Sequence, residues 1–283
     1  MGRIIILPSN ASMGLYPENT LSDYRTKLPF PLNLEGNYEA ALMEIQYPRT
    51  YNNITFKETS VTITILKESS KFRIKPGFYR TADQLVAALN SGIKHQIEVM
   101  AVIFPKIKKY EMECQDRKEE LCEFVVNERM NKVFIHFKSR VRVHISNDMK
   151  GILGFHVNML KPDKTASNHD QEVISMEAQH QIDTYQSRYS LFVYCSIVAP
   201  QIVGDSFVPL LRAVPVEGEH GLIVTKTYIR PHYFPLKQNY VDEIEISIRD
   251  SVGEKIPFER GRVIVTLDIR KGRIFNKTIF PVE

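Results

Sequence analysis

The residues nearest to a catalytic pattern are Gly204-Asp205-Ser206-Phe207. A block of this kind carries the nucleophile of one esterase class, in which a serine attacks an ester after a histidine oriented by an acid takes its proton. That class pairs the block with Asp-x-x-His, and none of the eight histidines has an aspartate three positions before it. No Gly-x-Ser-x-Gly elbow surrounds the serine either. A β-turn built on Gly and Asp accounts for the block. Only His136 and His144, on the two arms of a predicted hairpin, are spaced to approach one another, and a zinc site needs two further ligands that the spacing does not nominate. Solvent-facing strand positions explain both. Glu243 and Glu245 share one face of a strand, as a glycosidase pair would, but any exposed face produces the same alternation. Cys114, Cys122 and Cys195 form an odd set without CxxC spacing, which reads as reduced thiols in an intracellular setting. With no Gly-rich phosphate loop, Walker motif or dinucleotide fingerprint, the expectation is a protein with no catalytic residues, no metal and no cofactor.

Basic side chains cluster at Lys106, Lys108 and Lys109, and again at Arg270, Lys271, Arg273 and Lys277. Either cluster can meet packaged nucleic acid through backbone charge alone. A solvated face or a subunit contact explains them equally, because a net charge of +4 is far below that of a dedicated binder. Ile4-Ile5-Ile6-Leu7 before Pro8 is too short for a signal segment, and no apolar run approaches the roughly 20 residues of a membrane helix. Neither cleaved-signal secretion nor membrane insertion is expected.

The elements that must position these residues are mostly strands. Ile244, Ile246 and Ile248 alternate with Glu243, Glu245, Ser247 and Arg249; Val263, Val265, Leu267 and Ile269 do so with Thr266, Asp268 and Arg270. The same period runs through 40–47 and 61–65. The stretch 26–34 is also strand-like, but Pro29 and Pro31 lack amide donors and push it to a sheet edge or bulge. Leu191 to Val198 is an apolar run that can be buried on both faces, and Val208 to Val216 is a strand interrupted by Pro209 and Pro215. Two short helices break the pattern: one capped by Thr81 with Gln84 three residues on, the other starting from Ser146 and ending at Gly154. Between them, 133–137 and 141–145 read as a hairpin around Lys138-Ser139-Arg140. Residues 160–188 are polar and aperiodic, a long surface loop.

These readings give an all-β, antiparallel jelly-roll sandwich with an α+β insertion domain. The sandwich is assigned to 1–75 and 166–283, the insertion to 76–165. An immunoglobulin-like sandwich fits less well, because the Cys…Trp…Cys framework is absent.

Several blocks carry a resemblance that spans nearly the whole chain in order. They are Leu7-Pro8-Ser9-Asn10-Ala11-Ser12-Met13, Tyr16-Pro17-Glu18-Asn19-Thr20-Leu21, Leu34-Glu35-Gly36-Asn37-Tyr38-Glu39-Ala40 and Glu44-Ile45-Gln46-Tyr47-Pro48. Further on come Gly77-Phe78-Tyr79, Leu153-Gly154-Phe155, Tyr194-Cys195, Val203-Gly204-Asp205-Ser206 to Arg212, and Ile248-Arg249-Asp250 to Val265-Thr266-Leu267. In these the chain resembles the minor capsid (penton) proteins of Polinton/Maverick elements and adintoviruses, and more distantly virophage pentons. The resemblance implies a single jelly roll with an insertion domain, acting as a structural protein of the virion. Five copies would form the vertex capsomer of an icosahedral shell, seated among double-jelly-roll major capsid trimers. A homopentamer, that major capsid protein, packaged DNA and a host-cell receptor are the expected partners.

For such a subunit, the arm Met1 to Asn19 and the segment Ile274 to Glu283 are expected outside the strand series, reaching neighbours through Ile4, Ile6, Tyr16, Phe275 and Phe280. Arg270, Lys271, Arg273 and Lys277 are the basic cluster expected to face nucleic acid, and the insertion is expected to project outward, where host contact occurs. The alternative is a β-sandwich adhesion or ligand-binding module, such as a host-retained copy of the gene.

Overall fold

The structure, a computed structural model, describes residues 2–55, 59–115, 120–161, 173–185 and 188–272. It divides into two compact units, Met1–Tyr51 with Ser187–Glu283, and Asn52–Gln186. The first unit opens with β1 (Arg3–Pro8), β2 (Asp23–Asn33) and β3 (Tyr38–Pro48). The second holds β4 (Ser60–Ile65), β5 (Glu68–Arg73), α1 (Ala82–Ile103), α2 (Pro105–Gln115), β6 (Cys122–Asn127), β7 (Lys132–Lys138), β8 (Val141–Ile145), α3 (Asn147–Leu153), β9 (Met159–Leu160) and β10 (Val173–Glu177). The first unit then resumes with β11 (Ser190–Cys195), β12 (Gln201–Val203), β13 (Ser206–Val208), β14 (Leu210–Pro215), β15 (Ile223–Thr227), β16 (Phe234–Pro235), β17 (Tyr240–Arg249) and β18 (Ile264–Lys271).

In the first unit one sheet runs β1-β18-β3-β15, with β16 added on β3, and the other runs β14-β11-β17-β2, every pairing antiparallel. Following the chain, β1, β3, β15 and β18 fall in one sheet and β2, β11, β14 and β17 in the other. Two Greek keys wound in this order make a jelly roll. Period-two alternation seals the interior: Val265, Leu267 and Ile269 of β18 and Ala40, Leu42 and Ile45 of β3 join one core with Ile244, Ile246 and Ile248 of β17 and Leu191, Val193 and Cys195 of β11. Tyr24 of β2, wholly buried, crosses that core and donates its hydroxyl to the Leu7 carbonyl at 3.1 Å. Burial pushes its phenol pKa well above the ordinary value. Pro29 and Pro31 sit on the edge strand β2, where an amide is not missed. Pro209 splits the expected 208–216 strand into β13 and β14.

The second unit has its own core, formed by a sheet β5-β4-β8-β9, a sheet β10-β7-β6 and three helices. Thr81 caps α1, its hydroxyl accepting from the Gln84 amide at 3.2 Å, while the Gln84 side chain accepts from the Arg80 amide at 2.8 Å. Asn90, midway along α1, bonds both backbone groups of Phe124, each at 2.8 Å, and so completes the free edge of β6. Ser146 caps α3, and Gly154 closes it at φ 80°. A Cβ at Gly154 would collide with the His180 carbonyl, so the glycine serves both the left-handed turn and the close approach.

Five sequence expectations are corrected. Strands β7 and β8 do not form a hairpin: β7 pairs with β6 and β10, β8 with β4 and β9. The link between them lacks the Gly or Asn that closes a tight turn, which frees the chain to change sheets. Strand β4, counted with the sandwich, pairs with β5 and β8 and belongs to the second unit. The first helix runs 22 residues because Ile93, Ile97, Met100 and Ala101 continue the buried stripe begun by Leu85 and Leu89. The region 160–188 contains β10, paired with β7. Finally, β11 is buried on one face only, with Phe192 and Tyr194 half-buried on the other.

Candidate functional site

The sequence expectation placed residues 1–19 outside the strands; the structure takes residues 3–8 into one and leaves 9–19 outside. Strand β1 pairs with β18 from Arg3↔Ile269 to Pro8↔Ile264. Leu7 is fully buried, while Ile4 and Ile6 point outward, 54% and 62% exposed. These two isoleucines are thus an apolar strip on a sheet edge rather than anchors on a loose arm. After β1 the chain folds back over the second sheet. There Tyr16 donates to the Glu243 carboxylate at 2.7 Å, an acceptor that pushes the phenol pKa up. Beside it, Lys27 and Asp242 pair at 2.6 Å and Arg25 and Glu245 at 3.0 Å. The Lys27 hydrogen bond holds the Asp242 carboxyl below the usual carboxylate range. Glu245 is accordingly engaged by Arg25 across the strand pair β2·β17, and Glu243 by Tyr16 from the segment before β2.

Of the C-terminal basic cluster, Arg270 is held in place, with Nε 2.6 Å from the Glu39 carboxylate and its guanidinium 3.3 Å above the Tyr233 ring. Tyr233 in turn donates to Asp268 at 2.6 Å. Lys271 is exposed. Arg273, Phe275, Lys277 and Phe280 lie outside the described residues.

The serine block forms the turn of the β12–β13 hairpin, with Gly204 at φ 62° and the Ser206 hydroxyl 3.3 Å from Asp205. That hairpin carries a feature the sequence reading passed over: Ile202 and Phe207 are directly opposite one another and 79% and 69% exposed. Alternation hid them, because a two-stranded ribbon has no second sheet to cover its apolar positions.

His136 and His144 stand in different sheets. The histidines that do meet are His156 and His180, whose Nε2 atoms are 2.6 Å apart, so one ring donates and the other accepts. Their separation of 24 residues gave no local signal. Among the described residues no group of three or more His, Cys, Asp or Glu is arranged to hold a metal ion, and no helix is long and apolar enough to cross a membrane. All three cysteines are buried and outside any disulfide. Burial pushes the Cys195 thiol up to about 12 and that of Cys122 higher still.

The surface so defined belongs to a jelly-roll sandwich that presents apolar groups on a sheet edge and on a hairpin. No protein-family model and no curated protein matches the sequence. Among solved structures the chain is similar to the mavirus penton protein, at 12% identity over 95% of this chain and 99% of that one, with a TM-score of 0.47. It is also similar to a chain in the structure of the Sputnik virophage, at 10% identity over 96% and 97%, with a TM-score of 0.43. Identities and scores of this size do not place the chain in a family; the fold assignment stands on the strand order itself.

Proposed function

We propose that the chain is a non-enzymatic capsid protein, the vertex subunit of an icosahedral particle of the Polinton/Maverick and adintovirus kind. The observation that carries this reading is the strand order, β1-β18-β3-β15 in one sheet and β14-β11-β17-β2 in the other. A single jelly roll wound within one chain is what the motif resemblance implies for the minor rather than the major capsid protein. Five copies close into a ring through a heterologous interface, one flank of each meeting the other flank of the next. Permanent contacts of this sort bury on the order of 2,000 Å² or more and are relatively apolar. Ile4 and Ile6 on β1, Ile202 and Phe207 on the hairpin, Tyr16, and Phe275 and Phe280 are the residues we assign to neighbouring subunits.

The double-jelly-roll major capsid protein is the proposed lattice partner and the virion the proposed location. Contact with packaged DNA falls to Lys271, Arg273 and Lys277, because Arg270 is already neutralised by Glu39. Contact with a host cell is assigned to the unit inserted between β3 and β11. Light scattering of the purified protein tests the reading. A species of five times the 32.7 kDa chain mass, alone or on mixing with the major capsid protein, is the expected result. A chain that stays monomeric in both conditions refutes it and favours the adhesion or ligand-binding module.

A further inference from the structure

Three segments of the second unit line one open cleft of about 750 Å³. They are the turn Leu66-Lys67-Glu68 between β4 and β5, the chain from Phe104 to Glu113 that begins α2, and Arg140 in the link from β7 to β8. The two turns are tied together, since the Leu66 amide donates to the Arg140 carbonyl at 3.1 Å.

Both the first turn and the helix break local rules here. Leu66 takes φ 59° in a two-residue hairpin loop, a conformation for which Gly or Asn is the usual choice. Helix α2 opens Pro105-Lys106-Ile107-Lys108-Lys109 and has no acid in its first turn. The macrodipole favours acids over lysines at that end of a helix, although Pro105 has no amide and those of Ile107 and Lys108 donate to the Phe104 carbonyl. Lys106 and Lys109 are exposed, so core packing does not demand them. Conflicts of this kind, imposed where packing is silent, mark functional positions.

The cleft's charge points to the ligand. Lys67, Lys106, Lys109 and Arg140 face two acids, Glu68 and Glu113. Among the described residues Lys67, Lys106 and Lys109 have no ion-pair partner. Leu66, Phe104, Ile107 and Tyr110 supply apolar lining. The volume lies within the roughly 300–1,000 Å³ of small-ligand pockets.

We propose that this cleft binds an acidic saccharide, its sulfate or carboxylate groups on the lysines and Arg140 and the C–H face of one sugar ring against Phe104. The two carboxylates decide between this ligand and a nucleic-acid strand. Sugar hydroxyls donate to Glu68 and Glu113, whereas a DNA backbone carries no hydroxyl donor between its ends. The site is complete within one chain. A monomeric protein that binds the saccharide would therefore retire the pentameric ring and leave this inference standing.

Titration calorimetry of the full chain tests it with three probes: a sulfated heparin disaccharide, its desulfated uronate counterpart, and a single-stranded DNA trinucleotide. Saturable binding of either disaccharide is expected, and whichever binds more tightly identifies the anionic group the cleft selects. The variant K106A/K109A should weaken it at least tenfold, and Lys150→Ala, on α3, should leave it unchanged. If far-UV circular dichroism shows that the double variant has lost helix, Lys67→Gln tests the same cleft from the β4–β5 turn, again with a tenfold loss expected. The proposal is overturned if neither disaccharide saturates at millimolar concentration, if the trinucleotide binds as tightly, or if a folded cleft variant binds as well as the parent.

Discussion

Replacing Leu7 with alanine and, separately, Ile6 with serine pulls apart the two duties of β1. Leu7 is fully buried in the sandwich core, and its carbonyl receives the Tyr24 hydroxyl from the opposite sheet. Truncating a buried leucine to alanine costs about 2–5 kcal/mol, depending on how far the site collapses. The Tyr24 bond goes to backbone and survives the change, so about 3 kcal/mol is the reasoned figure. At roughly 2–4 °C per kcal/mol for a chain in this size range, the melting temperature should fall by about 6–12 °C. Ile6, one position away, faces outward, and surface changes of this type stay within about 0.5 kcal/mol, a shift of no more than about 2 °C. The assay is thermal unfolding followed by circular dichroism, with light scattering on the same samples. If β1 is both a sandwich strand and a subunit contact, Leu7→Ala lowers stability, whereas Ile6→Ser spares stability and weakens the oligomer. A Leu7→Ala protein that melts within about 2 °C of the parent, or an Ile6→Ser protein that loses as much as Leu7→Ala, would refute the seating of β1 against β18.

Two further outcomes are expected. Asn90→Ala should destabilise the second unit by about 1–3 kcal/mol by stranding the amide and carbonyl of Phe124, and hydrogen exchange at the Phe124 amide should quicken; unchanged protection there would refute the role of Asn90 as an edge cap. In the native protein at pH 8, Cys122 and Cys195 should resist thiol reagents, because burial raises their pKa values and only the thiolate reacts, while in denaturant all three cysteines should react; brisk labelling of Cys195 in the folded state contradicts its place in the core.

Much of the sandwich was legible because period two is a strong signal where one face is buried. Strands β17 and β18 follow directly from Ile244, Ile246 and Ile248 and from Val265, Leu267 and Ile269, and the prolines of β2 announced an edge. Caps are equally local, so Thr81, Ser146 and Gly154 could be read without knowing what the helices pack on. Partner choice is not local. Val133 to Ile145 alternates as a hairpin would, and only the missing turn residue hints that β7 and β8 join different sheets. The candidate site suffered in the same way. The lysines at 106, 108 and 109 are visible as a run, but Lys67 and Arg140, which turn part of that run into a cleft, come from turns far away in sequence. Arg270 looked like a free cation until Glu39 and Tyr233 were placed beside it.

The pairing of β1 with β18 has a consequence for how the protein is made. Ser9 and Val263, which bond where those two strands meet, lie 254 residues apart. At the usual synthesis rate of about 5–20 residues per second, the ribosome needs roughly 10 to 50 seconds between delivering one and the other. Until β11, β14 and β17 follow, β1 and β3 have only β2 from the opposing sheet, and the place of β18 between them stays empty for the whole interval, while the inserted unit emerges whole and contiguous. The roll therefore closes only with its last strand, after the inserted unit has been made in full.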